Sequence, residues 1–206
     1  MGTKSTYHER IKEEKKACTI AAATELFFEQ GYARTTLAQI AKRAGLSTGT
    51  LFNHFPTKEL IFETIVKHFW ELDPEWADPP VPGSPLQGLT THGRNYACVL
   101  TRDGMAPLFR VVIAEATQFP QLSLLHYQLG EGAVHQKLTQ YLLDEVQLGN
   151  LNLPDAAKTA HEFMAVIAGQ VLWPKMLLLD FSISQEQAFQ ISDEAARMIC
   201  SHQSRQ

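Results

Sequence analysis
The sequence predicts an all-α chain in two parts, a small N-terminal three-helix head and a larger helical body. Three observations carry this reading. Apolar residues recur at helical spacing along most of the 206 residues. Alternating strand patterns bounded by hairpin signals are absent. Five of the ten prolines crowd into residues 74–85, a stretch that cannot be helix interior and so marks a break.

Residues 8–30 read as a first helix with Ala17, Ile20, Ala21, Ala23, Phe27 and Phe28 inward, ended by Gly31. Thr36-Leu37-Ala38-Gln39 has the form of a capping box and opens a second helix. Leu37, Ile40, Ala41 and Ala44 share its apolar face, and Gly45 ends it. Ser47 is the natural N-cap of a third helix with Leu51, Phe52 and Phe55 inward. Pro56 stops that helix, and Thr57 caps a fourth running to about Leu72. Two short helices joined by a tight turn containing glycine, between two longer ones, make a helix-turn-helix.

The body shows helix signals at about 87–103, 107–117, 120–148, 155–180 and 185–201. Gly130 and Gly132 are positioned to split the third and Pro174 to kink the fourth; Ser184 with Gln187 is a second capping box. The expected domains are therefore 1–56 for the head, 57–86 for the connecting helix and Pro-rich loop, and 87–206 for the body.

Composition excludes some classes. With 45% hydrophobic and 19% charged residues the chain is an ordinary globular mix, and no apolar run approaches the roughly 20 residues that span a bilayer. The polar first twenty residues do not read as a secretory signal. Cys18, Cys98 and Cys200 are odd in number and far apart, which suits reduced thiols in a cytoplasmic protein. None of the eight histidines is spaced as a metal pair, so no metal and no cofactor is expected. The net charge of −4 divides into +3 for residues 1–60 and −7 for the rest. A basic head suggests that a polyanion docks there, although chance explains so small an excess equally well.

The informative stretch is residues 35–62, TTLAQIAKRAGLSTGTLFNHFPTKELIF. A helix that lies in the major groove needs small polar residues at its start, which Ser47, Thr48, Gly49 and Thr50 supply. Asn53 stands one turn further on, suited to adenine or a phosphate, and His54 is placed to touch the DNA backbone. Thr36 opens a helix whose free N–H groups suit a phosphate. Lys58 sits in the first turn of its helix, where a cation is unfavourable by about 0.3–1 kcal/mol unless an anion lies nearby. A simply solvated lysine is the alternative. Residues 45–49 also read Gly-x-Ser-x-Gly, the hydrolase nucleophile-elbow pattern, but that elbow needs a preceding strand and the residues before it are helical in period.

Residues 35–62, with the Phe27 to Gly31 helix end before them, closely resemble the DNA-binding head of the TetR family. The matched positions include Ile40-Ala41, Ala44-Gly45-Leu46-Ser47, Gly49, Thr50-Leu51, His54-Phe55 and Lys58. The resemblance implies DNA contacts from Ser47, Thr48, Gly49, Thr50, Asn53 and His54, with Thr36 and Lys58. It departs at Phe52, where the family usually has a tyrosine whose hydroxyl reaches a phosphate, and Phe52 is read as packing. In the body, VVIAEATQFPQL (111–122), Gly149 and LPDAAKTAHEFMAVIAG (153–169) resemble the AefR-like kind of TetR C-terminal domain.

The resemblance implies a transcriptional regulator rather than an enzyme: a ligand-responsive repressor that binds a palindromic operator as a homodimer. The last two long helices would pair across the two-fold axis through Phe163, Val166, Ile167, Val171, Phe189, Ile191 and Ile199. Filling a protomer core is the alternative role for these residues. A pocket for a small apolar or aromatic effector is expected between residues 87 and 180. Its candidate lining is Tyr96, Glu115, Gln118, Phe119, His126, Tyr127, Gln170 and Trp173, the polar and aromatic residues in otherwise apolar runs.

Overall fold
The computed structural model describes residues 7–71 and 80–203, and among them all regular structure is helical. The expected end of the fourth helix at Leu72 and the first part of the Pro-rich loop lie outside the described residues. The described residues form eleven helices in order: α1 (Tyr7–Gln30), α2 (Leu37–Arg43), α3 (Thr48–His54), α4 (Lys58–Trp70), α5 (Pro85–Thr101), α6 (Met105–Glu115), α7 (Pro120–Leu129), α8 (Glu131–Gln147), α9 (Ala156–Val171), α10 (Trp173–Leu177) and α11 (Gln185–Gln203). The long signal at 120–148 is two helices parted at Gly130, and the one at 155–180 breaks at Leu172, ahead of Pro174.

Packing defines two units. One takes the described residues up to His68 together with Val111–His126; the other takes Phe69–Arg110 and the described residues from Tyr127 onward. The first unit thus takes in most of α4, beyond the residue 56 expected for the end of the head. Ile61, Phe62, Ile65 and Val66 of α4 are fully buried, and they complete the first core. Its centre is aromatic: Tyr32 lies 5.2 Å from Phe27, 5.8 Å from Phe62 and 5.2 Å from Phe119 between ring centroids. The buried stripe of α1 is Thr19, Ala22, Ala23, Leu26 and Phe27, an i, i+3, i+4, i+7, i+8 set. Ala17 and Ala21, expected inside, are exposed, because the larger Leu26 and Phe27 set the rotation of the helix. Thr19 tolerates burial by donating its hydroxyl to Lys15 O at 2.8 Å.

The turn from α2 to α3 follows from local chemistry. Thr36 and Gln39 form the reciprocal capping box, 2.8 Å from Thr36 N–H to the Gln39 side chain and 3.2 Å for the return bond. At the other end Leu46 N–H donates to Ala41 O and Gly45 N–H to Lys42 O, a Schellman closure that needs the positive φ of 69° at Gly45. Ser47 then caps α3 by accepting from Thr50 N–H at 3.1 Å. Arg43 reaches back to Glu25 and Glu29 of α1 at 2.9–3.0 Å, an exposed network of small energetic weight.

In the second unit α5 and α11 pack most closely, and Gly93 makes that approach possible. A Cβ there would stand 2.9 Å from Phe163 Cζ and 3.1 Å from Ser192 Cβ. Ser192 donates its hydroxyl to Gly93 O at 3.0 Å, and Arg94 grips Asp193 with two bonds of 2.8 and 2.6 Å. Replacing Gly93 by Ala gains about 1 kcal/mol of helix propensity but incurs an overpacking cost of about 1–3 kcal/mol. The expected net outcome is a lower midpoint in urea unfolding; a raised midpoint would show that Phe163 and Ser192 yield freely.

Candidate nucleic-acid interface and cavity
On the seven residues of α3, Leu51 is fully buried, and the following Phe55 is 4% exposed. The opposite face carries Ser47, Thr48, Gly49, Phe52 and Asn53, all exposed, with Thr50 and His54 half-exposed. Phe52, expected to pack inward, is 46% exposed. The correction is one of angle: Leu51 and Phe55 are four residues apart and share the inner face, and Phe52 lies about 100° round from Leu51. The Ser47 and Thr50 hydroxyls bond each other at 2.8 Å, which orients both at the start of the helix. Gly49 has no atom within 4 Å of where a Cβ would stand, so the backbone there is open to close approach. The Gly-x-Ser-x-Gly run is this interhelical turn, with α2 and not a strand before it.

Lys58 has a different setting from the one expected. Its ammonium donates to Tyr32 O at 2.7 Å and Thr35 O at 2.8 Å, and it lies 4.0 Å from the centre of the Tyr32 ring. Two carbonyls and an aromatic face offset the unfavourable end of the helix dipole, so the position does not call for a phosphate. Burial lowers the pKa of this ammonium, opposed by the nearby charges of Glu59 and Glu115. Glu115 serves the same turn from α6, its carboxylate accepting from Ala33 N–H at 2.9 Å.

The second unit holds a cavity of about 530 Å³. Its walls come from Trp70, the segment Pro80–Pro82, the α5 residues His92, Asn95, Tyr96 and Val99, and α8 from Ala133 to Asp144 with Leu129 and Gly130 before it. Trp70 and Tyr96 stack with centroids 6.4 Å apart, and His92 lies 5.0 Å from Tyr141. Only Tyr96 of the eight expected lining residues belongs to it. Glu115 and Phe119 serve the first unit, His126 is buried apart from the cavity, and Gln118, Tyr127, Gln170 and Trp173 are exposed. The cavity lies between α5 and α8, away from the other seven.

One wall is anchored by Glu145. This fully buried carboxylate accepts from the Tyr141 hydroxyl at 2.5 Å, Gly83 N–H at 3.0 Å and Asn150 Nδ2 at 2.7 Å. Burial alone would raise its pKa, but these donors hold it below the usual carboxylate value. The anchor ties the end of the Pro-rich loop to α8. Tyr141 presses so closely on α5 that a Cβ at Gly88 would overlap its ring.

A groove between α9 and α11 is lined by Val166, Met198 and Ile199, with Leu153 and Pro154 beside them. Of the residues expected to pair two copies, Phe163, Ile167 and Val171 are buried within the protomer, and Val166, Phe189, Ile191 and Ile199 remain partly exposed. Among the described residues no cluster suits a metal ion, and no helix is long and apolar enough to cross a membrane.

A capped helix-turn-helix presenting small polar residues, together with a helical unit holding a cavity, defines a DNA-binding regulator. Residues 87–202 match the model of the AefR-like transcriptional repressor C-terminal domain, and residues 20–65 match that of the bacterial regulatory proteins of the tetR family. The chain belongs to the TetR family of transcriptional regulators.

Solved structures similar to it include the flavonoid-responsive regulator FrrA, 27% identical, with 94% of this chain and all of that chain covered at a TM-score of 0.74. A TetR-family regulator from Mesorhizobium loti is 21% identical, covering 96% and 98% at the same TM-score, and shares the fold. Curated relatives include HbdR of an Aromatoleum strain, 44% identical over 57 residues, which are 27% of this chain and 25% of that protein. The A-factor receptor protein of Streptomyces griseus is 32% identical over 87 residues, 42% of this chain and 30% of that one. The chain thus spans less than half the length of these two curated relatives.

Two outcomes follow from this geometry. Lys58→Met should destabilise the first unit by about 1–3 kcal/mol in urea unfolding, since two carbonyls lose a charged donor; unchanged stability would return Lys58 to the solvent-facing role. Burial, and secondarily the charge of Lys137, lowers His92 from 6.5 to about 4. Between those values the unfolded chain binds a proton that the folded chain refuses, so stability falls as pH drops through that window. His92→Phe should flatten that dependence by up to about one proton in titrated denaturation; an unchanged slope would mean His92 is protonated in the fold.

Proposed function
We propose that this regulator is a ligand-responsive repressor that binds a palindromic operator as a homodimer. The outer face of α3 carries the reading. Thr48 and Asn53 are the side chains offered to base edges, and Gly49 leaves the backbone open to the groove. Thr36, Ser47, Thr50 and His54 are assigned to the phosphate backbone and to setting the register of α3. Lys58 is assigned to holding the turn before α2.

Two copies pair through the α9–α11 face at Val166, Met198 and Ile199, placing two recognition helices roughly 34–36 Å apart. The effector occupies the cavity between α5 and α8. Trp70, Tyr96 and Tyr141 suit an uncharged aromatic compound, and the neutral His92 and Asn95 suit its polar substituents. The responsiveness to flavonoids stated in FrrA's name supports an aromatic effector. Such a compound releases DNA only if it binds the conformer that misfits the operator more tightly than the one that fits.

The test is fluorescence anisotropy on duplex DNA from beside the chain's own gene, with non-specific competitor and a panel of uncharged aromatic compounds. We expect competitor-resistant binding by two protomers and release by a subset of the panel. Ala133→Trp, which fills the cavity, should keep DNA binding and lose the release. Binding no tighter than to random duplex would remove the operator reading, and release unaffected by Ala133→Trp would remove the cavity from it.

A further inference from the structure
We propose that Phe52 reads operator sequence directly, packing its ring against the C5-methyl group of a thymine in the major groove. This rests on α3 being the helix that enters the groove. The ring is 46% exposed on the face that carries Thr48 one turn earlier and Asn53 beside it. The residue one turn back on its other flank, Gly49, has no side chain, and nothing lies within 4 Å of the place where one would begin. Phe52 is therefore the one large apolar projection on an otherwise small and polar surface.

The chemistry narrows the partner. A phenyl ring has no hydroxyl or amide, so it cannot fix a phosphate oxygen or a base-edge donor by a conventional hydrogen bond. Within the major groove the thymine methyl is the apolar group that distinguishes one base from the others. Burying the ring against it removes apolar surface of both partners from water, a gain that a cytosine, adenine or guanine at that position does not match. Phe52 thereby adds a specificity determinant beside the hydrogen-bonding pair Thr48 and Asn53. Because the contact is apolar, it changes sequence preference while leaving the salt dependence of binding unaltered.

The experiment begins with selection of bound duplexes from a random library by the full chain and by Phe52→Ala. Each thymine of the wild-type consensus is then replaced by deoxyuridine, which deletes only the methyl group. The expected result is a loss of about fourfold at one thymine in each half-site for the wild type, from the transfer value of one buried methyl. Phe52→Ala should bind the thymine and deoxyuridine duplexes equally there and should show a degenerate consensus at that position. An exposed side chain is not needed for folding, so its thermal melt should match that of the wild type. Deoxyuridine tolerated at every position, or an equal penalty in both proteins, overturns the proposal. So does a uniform loss of affinity in Phe52→Ala with an unchanged consensus, the mark of a sugar contact. Failure of the wild type to enrich any sequence would instead remove the reading of α3 itself.

Discussion

Much of the first unit depends on the way charge is settled in the turn between α1 and α2. Peptide units in a tight turn leave carbonyls and amides without helical partners. Here the Lys58 ammonium takes the carbonyls of Tyr32 and Thr35, and the Glu115 carboxylate takes the amide of Ala33. Each charged group thus meets the end of the peptide dipole that has the opposite sign. The Thr35 hydroxyl, itself buried, adds a bond to Gly31 O at 2.8 Å. α2 begins two residues after Thr35, so a fixed turn fixes its origin. The Schellman closure at Gly45 and the Ser47 cap then pass that orientation to α3 within a few residues. The recognition face is consequently positioned by backbone chemistry at both ends, and its own outward side chains remain unconstrained by packing.

That division explains which features were legible in the sequence. Caps and stops are local: Thr36 with Gln39, Ser47, and Ser184 with Gln187 each declare a helix start through bonds made within four residues. The head's helices and the break at Gly130 were readable for the same reason. The orientation of side chains on short helices was not. On a seven-residue helix, apolar type is a poor guide to direction, so Phe52 read as core and is exposed. The setting of Lys58 was hidden for a related reason. Its place in the first turn of α4 marks a cation in need of compensation, but the compensating groups are carbonyls 23 and 26 residues earlier, which no local pattern reveals.

The cavity was the least legible part because its walls converge from distant segments. Trp70, the end of the Pro-rich loop, α5 and α8 meet there. Polar residues in apolar runs carry no sign of which helices face each other, and of the expected lining the cavity takes Tyr96. The better signal was a pair of glycines on α5 together with Tyr141 and Glu145 on α8. Glycine inside a helix costs about 1 kcal/mol against alanine, so Gly88 and Gly93 call for a reason at the level of packing. At Gly88 the reason is the Tyr141 ring, and at Gly93 it is the ring of Phe163. The i, i+4 spacing of Tyr141 and Glu145 is likewise visible in the sequence, although nothing there shows that Gly83 completes the set.

The Glu145 anchor also bears on how the proposed effector would act from the cavity. A fully buried carboxylate is tolerable only when donors surround it, and here the donors come from α8, the loop before α5 and the turn after α8. Removing any one donor leaves a buried charge partly unsatisfied, so the three segments form a coupled set rather than three independent contacts. Pro80, Val81 and Pro82, which line the cavity, lie immediately before the anchored Gly83. Tyr141 belongs to both the anchor and the wall. A ligand that presses on Tyr141 or on the Pro80–Pro82 segment therefore acts on the same hydrogen bonds that hold the loop to α8. Differential affinity between two conformers is the thermodynamic requirement for the proposed effector, and these shared hydrogen bonds are where its occupancy of the cavity would be felt.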